Sequence, residues 1–231
     1  MNIFTMFSFP FMQRALIAGV LVSLCAALLG VSLVLKRYSM IGDGLSHVSF
    51  GALAIAAMSA SSLAIGILVI SRTTGMTTDV DNYMFGSVLA MSKTDVALSV
   101  VLCLAVLVLF ILFYHKLFAV TFDESFSRAT GLKVERYNTL LAILTALTIV
   151  LGMRMMGAML ISSLVIFPAL TAMRLFRSFR GVVVCAAVTS VACFCLGLTI
   201  SFAFSTPVGA TVVAADLAVF LTSCLIGLLR R

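Results

Sequence analysis

The chain has 231 residues, 63% of them hydrophobic and 10% charged, with a mean hydropathy of +1.26. A soluble domain is about half apolar and a quarter charged, so there is too little polar side chain here to cover a water-facing surface. A soluble enzyme, a DNA-binding domain and a disordered chain are all excluded.

Apolar runs of bilayer-spanning length, about 20 residues each, recur along the chain. They identify an all-α, polytopic membrane helix bundle with about seven transmembrane helices in a single domain over residues 1–231. The net charge is +7, from 15 Lys and Arg against 8 Asp and Glu. In a membrane protein this reports topology rather than nucleic-acid affinity, because Lys and Arg accumulate in cytoplasmic loops.

The opening "MNIFTMFSFPFMQR" is rich in Phe and Met and interrupted by Pro10. It lacks the basic front end and cleavage site of a signal peptide, and residues 1–13 read as an interfacial lead-in. The first span is expected over 15–35, stopped by Lys36-Arg37, and the second over 45–70. The loop "SRTTGMTTDVDNYMFGS" then leads to a third span over 96–114, closed by His115-Lys116. A long polar loop occupies 115–137. Spans four to seven are expected over 139–153, 157–173, 181–203 and 209–229, the fourth being short.

Charge fixes the expected orientation. With the N-terminus outside, the inner side holds Lys36, Arg37, Lys116, Arg128, Lys133, Arg136, Arg174, Arg177, Arg180, Arg230 and Arg231. The outer side holds only Arg14, Arg72, Lys93 and Arg154. Seven crossings then leave the C-terminus in the cytoplasm, as the positive-inside rule requires. The six cysteines all lie in apolar segments, where cysteine behaves as a small hydrophobe, so no disulfide framework is expected.

Ionisable groups within a membrane are costly and therefore candidates for function. Asp43 and His47, in "MIGDGLSHVSFGALA", are four apart and share one helical face. Their oxygen and nitrogen donors make half of a divalent-cation site, and Gly42, Gly44 and Gly51 permit a loosened helix start. The alternative is an interfacial helix cap. Asp216, in "TVVAADLAVFLTS", either lines an ion path or makes a structural hydrogen bond. Met153, Met155, Met156 and Met159 are either a soft copper site or ordinary gap-filling. Pro168 is expected to kink the fifth span and free a backbone carbonyl.

The stretch "FDESFSRATGLK" reads as a short cytoplasmic helix. Thr121 or Asp123 can cap its start, Asp123 and Glu124 suit its positive end, and Gly131 can stop it. Its length favours a docking element over a plain connector. There is no G-x-x-x-x-G-K-[ST] phosphate loop, so ATP chemistry is not expected on this chain. H-E-x-x-H and G-x-S-x-G are also missing, which disfavours a protease or lipase.

"LVLKRYSMIGDGLSHVSFGALAIA" resembles the opening motif of the permease subunits of bacterial ABC-type importers for zinc, manganese and iron. "DVDNYMFGSVLAMSKTDV" is similar to that family's outer loop, and "FAVTFDESFSRATGLK" to its cytoplasmic coupling loop. "RMMGAMLISSLVIFPALTAM" resembles its glycine- and proline-marked pair of spans, and "TPVGATVV" the start of its last span. The resemblance implies a homodimeric permease in the bacterial cytoplasmic membrane, with a separate cytoplasmic ATPase that carries ATP and an extracellular metal-binding protein. No nucleic-acid partner and no permanently bound cofactor are implied, only a transported divalent metal. Asp43 and His47 match the family's pore-lining pair, and Phe122, Asp123, Glu124 and Gly131 fall in the ATPase-coupling segment. Asp216 matches no motif and stands as a metal candidate on its own chemistry.

The chain departs from the family pattern after Met58. There "MSASS" replaces about 40 residues, enough for one helix pair, and the loss of a pair leaves the topological parity unchanged. Three functions follow as expectations: an ATP-driven importer of zinc or manganese, a truncated membrane protein that assembles with the ATPase without transport, or an ion-gradient-driven carrier relaying protons through Asp43, His47 and Asp216.

Overall fold

A computed structural model describes residues 10–39, 92–204 and 206–229. The second expected span, the outer loop and the pair Asp43 and His47 lie outside the described residues. Among the described residues the chain is helical and contains no strand. Its helices are α1 (Pro10–Ser39), α2 (Lys93–Leu112), α3 (Tyr114–Phe122), α4 (Glu124–Ala129), α5 (Val134–Met156), α6 (Ala158–Leu175), α7 (Phe179–Phe204) and α8 (Val208–Leu229). Six of these, α1, α2 and α5 to α8, are long and apolar enough to cross a membrane. They match six of the seven expected spans.

The ends differ from the hydropathy reading for local reasons. Pro10 opens α1 instead of interrupting a lead-in, since proline is preorganised for a first helical turn. Residues 10–13 therefore belong to the first helix, and Met12 is buried. Ser92 and Asp95 form a capping box, with the Asp95 N–H donating to Ser92 Oγ at 3.1 Å and the Ser92 N–H to the Asp95 carboxylate at 3.4 Å. This starts α2 at Lys93, one turn before its apolar run. The chain breaks at Phe113 (φ −100°, ψ 10°), and the first part of the expected polar loop folds as α3, ahead of the short helix expected within it, α4. The fourth span is not short: α5 has 23 residues, because Glu135, Arg136 and Asn138 extend the helix beyond its apolar part. Pro168 lies within α6, which runs unbroken through it.

Helix α1 sits at the centre, packed against α2, α3, α5, α6 and α7. Its apolar window is 67% buried, against 22% for α2 and for α8. A helix enclosed on most sides carries no polar face, and α1 is built of small residues: Ala15, Ala18, Ser23, Ala26, Ala27 and Ser32 are all fully buried. At Gly30 a Cβ would lie 2.1 Å from the Val165 carbonyl oxygen of α6. The two backbones are in contact there, the small-residue packing expected between helices in lipid. Hydrogen bonds also cross between helices: Ser190 Oγ of α7 donates to the Ser23 carbonyl of α1 at 2.9 Å, and Thr211 Oγ1 of α8 to the Gly197 carbonyl of α7 at 3.0 Å. Each contributes about 0.6 kcal/mol in a membrane. The outer surface is apolar, with Val101, Ile111, Val188 and Phe204 exposed.

Polar contacts define the two ends of the bundle. At one, Lys36 of α1 meets Glu124 of α4, and the Tyr114, Phe118 and Phe122 rings of α3 meet Phe179 at the start of α7. At the other, Arg154 of α5 lies 3.4 Å from Asp95 of α2. Gly157 (φ 87°) turns the chain there from α5 into α6.

The α1–α6 contact leaves no room for a side chain. Gly30→Val should destabilise the protein by about 1–3 kcal/mol, the usual cost of overpacking, seen as a lower thermal midpoint in detergent. Gly19→Ala should cost less, because the atoms in its way belong to the movable Phe194 ring. Equal losses at both positions would contradict the backbone contact.

Candidate coupling segment and ion-path residues

Asp123 separates α3 from α4. Its extended backbone (φ −148°, ψ 101°) ends one helix, and its Oδ1 accepts the Phe126 N–H at 2.9 Å to start the next. Of the two expected caps, Asp123 is the one used; Thr121 is buried within α3. At the other end Gly131 takes φ +83°. The Leu132 N–H donates to the Ser127 carbonyl and the Gly131 N–H to the Arg128 carbonyl, both at 3.0 Å, the paired bonds of a Schellman stop. The start and stop signals read from the sequence thus enclose α4.

Glu124 turns inward. Its Oε1 lies 2.8 Å from Lys36 Nζ and accepts a hydrogen bond from Asn138 Nδ2 at 3.0 Å. Lys36 Nζ in turn donates to Asn138 Oδ1 at 2.6 Å. Three helices, α1, α4 and α5, are joined by one closed set of polar contacts. The Lys36 ammonium, with help from the Asn138 amide, holds the Glu124 carboxyl below the usual glutamate range. Phe126 points the other way and is 65% exposed. The Arg128–Glu135 pair, at 3.3 Å with side chains 60% and 84% exposed, contributes little by comparison.

In the sequence, Lys36 is legible only as a topology marker, and no motif singles out Asn138. An asparagine immediately before the expected fourth span was the available signal.

Asp216 is 1% exposed, on α8 between α6 and α7. Ser163 Oγ lies 3.5 Å from its Oδ2 while donating to the Leu160 carbonyl at 2.9 Å, and the Cys193 thiol of α7 interacts with the same carboxylate. Oδ1 has no partner among the described residues. A structural hydrogen bond therefore accounts for only one of its two oxygens. No group of three or more His, Cys, Asp or Glu side chains that could hold a metal occurs among the described residues. The methionine run is divided: Met155 and Met156 are buried, while Met159 is 45% exposed. All six cysteines are free thiols.

Two stretches of the chain, residues 8–59 and 51–227, match the family model described as "ABC 3 transport family". The two stretches overlap at 51–59. The manganese import system permease protein ScaB of Streptococcus gordonii is 28% identical, over 96% of this chain and 94% of its own length. That alignment runs over 261 residues against a chain of 231, so part of the relative faces no residue here. The high-affinity zinc uptake system membrane protein ZnuB of Haemophilus influenzae is 30% identical, over 93% of this chain and 97% of its own. Among solved structures, PsaBC from Streptococcus pneumoniae in complex with Fab contains a chain with a TM-score of 0.77 and 28% identity. That match covers 96% of this chain and 93% of that one.

The Lys36–Glu124 pair has a defined pH dependence. Because the folded-state carboxyl is depressed, its stabilisation is fully present above the ordinary glutamate pKa of about 4.3 and is lost as pH falls through the lowered value. Its partial exposure limits the effect to about 1 kcal/mol. The difference in thermal midpoint between wild type and Glu124→Gln should be present at neutral pH and vanish in acid. A difference that does not change with pH would rule out the ion pair as its source.

Proposed function

Given that this chain belongs to the ABC 3 transport family, we propose that it is the membrane subunit of an ATP-driven importer moving zinc or manganese across the bacterial cytoplasmic membrane. The observation that carries this reading is α4. It is a six-residue helix capped at both ends, at the end of the bundle where Lys36 lies, in a chain without a phosphate loop of its own. Such an element suits a separate ATPase, with Phe122 to Gly131 as its contact and the exposed Phe126 as its most prominent side chain.

Asp43 and His47 are the proposed transient ligands in the ion path. Carboxylate and imidazole suit both metals. Two donors per subunit hold an ion weakly enough to release it, as conduction requires. Asp216 is a further candidate, since its buried Oδ1 has no partner among the described residues. The metal is cargo and ATP belongs to the partner, so no resident cofactor is part of the proposal. An extracellular metal-binding protein would deliver the ion, and a second copy of this chain would complete the pathway. The N-terminus is assigned outside and the C-terminus inside.

The shortening after Met58 favours one second reading, in which the chain assembles with an ATPase without moving metal. Uptake separates the two. Vesicles containing the chain and its ATPase should accumulate Zn2+ or Mn2+ when supplied with ATP, and Asp43→Asn or His47→Ala should abolish this with the complex still assembled. Wild-type uptake by both variants would remove the pair from the pathway.

Orientation is tested by cysteine labelling with a membrane-impermeant reagent. Ser125→Cys, on the exposed face of α4, should react only from the cytoplasmic side, and Thr94→Cys, exposed at the start of α2, only from outside. The opposite pattern would invert the topology.

A further inference from the structure

We propose that Lys36, Glu124 and Asn138 form a clasp that carries movement of the ATPase-docking helix into the end of α1, making all three positioning residues for transport. The inference rests on the proposed function and deepens it, because it names the route from the docking element to the ion path.

The geometry differs from that of an ordinary surface pair. The three groups satisfy one another at 2.8, 3.0 and 2.6 Å. The Lys36 side chain is only 24% exposed and that of Glu124 37%. Lys36 and Asn138 are 102 positions apart in the chain, so the contact joins distant elements rather than neighbours on one helix. Helix α4 packs on α3 and α5, and Glu124 adds a charged link to α1. Asn138 fixes the geometry, since its amide donates to the carboxylate while its carbonyl accepts from the ammonium.

What the clasp holds is as important as how it is built. Lys36 lies near the end of α1, and the sequence runs directly from it through "RYSMIGDGLSH" to Asp43 and His47. At Gly30, less than two turns earlier, α1 is locked against the α6 backbone. A displacement of α4 therefore reaches a short length of helix anchored on one side and followed by the proposed ligands on the other. The ion pair is a discrete contact, made or broken, which is the kind of element that lets one site bias another. The Arg128–Glu135 pair links α4 only to the adjacent α5 and is well exposed, so it offers no comparable route.

The test uses the permease assembled with its ATPase in vesicles, with Mn2+ and Zn2+ as probes and metal moved per ATP hydrolysed as the readout. Lys36→Met and Glu124→Gln should each lower that ratio about fivefold or more, the size of an ordinary coupling effect, while the complex is still recovered intact. The reversed pair, Lys36→Glu with Glu124→Lys, should restore most of the ratio, because Asn138 can turn its amide to serve either order. A purely structural contact would lower complex yield and leave the ratio unchanged. If a single variant does not assemble, the reversed pair and the milder Asn138→Ala carry the same comparison. Wild-type ratios throughout, or a reversed pair no better than the singles, would overturn the clasp and leave the importer reading standing. A wild-type complex that hydrolyses ATP without moving either metal would overturn that reading, and the clasp's role in transport with it.

Discussion

The structure depends on how closely α1 approaches its neighbours. In lipid, helices gain little by exchanging apolar solvent for apolar protein, so association comes from close packing and a few hydrogen bonds. A central helix with five partners must then be narrow, and α1 achieves this with alanine, serine and glycine along its buried faces. Gly30 is the limiting case, because only a missing side chain allows the α6 carbonyl so near. Once α1 is fixed, α6 and α7 are fixed on it, and α8 follows through its contacts with both.

That arrangement explains why polar groups appear where they do. Ser23 supplies a backbone acceptor to Ser190, a bond possible only because the helices are already close. Asp216 is held beside Ser163 by the same packing between α6 and α8. The ion pairs among the described residues stand at the ends, where water lowers the cost of an ion. Lys36 with Glu124 closes one end and Arg154 with Asp95 the other.

Much of this was legible in the sequence. Apolar runs located six spans found among the described residues, and Asp123 and Gly131 marked the limits of α4 because capping and helix stopping are local chemistry. Span ends were less legible. Hydropathy detects where a helix is greasy, not where it begins, so the polar first turn of α5 and the capping box of α2 were missed. Helix α3 was missed for a related reason: its apolar stretch is short and follows a charged pair, so it read as loop. The clasp was not legible at all. It depends on three residues from distant parts of the chain, and nothing local to Lys36 or Asn138 names the others. Asp216 was legible as an anomaly but not as a geometry.

The aromatic contacts around Phe179 have a consequence for protein engineering. Phe118 packs tilted against this ring and Phe122 edge-on, with centroids 4.8 and 6.0 Å away, while Glu124 reaches Lys36 and Asn138. The stretch 114–131 is thus fitted to residues on three helices outside itself. A chimaera that borrowed residues 114–131 from a relative, in order to accept that relative's ATPase, would inherit a loop matched to the wrong seat. The transplantable unit is the loop together with positions 36, 138 and 179, scattered along the gene but contiguous in space.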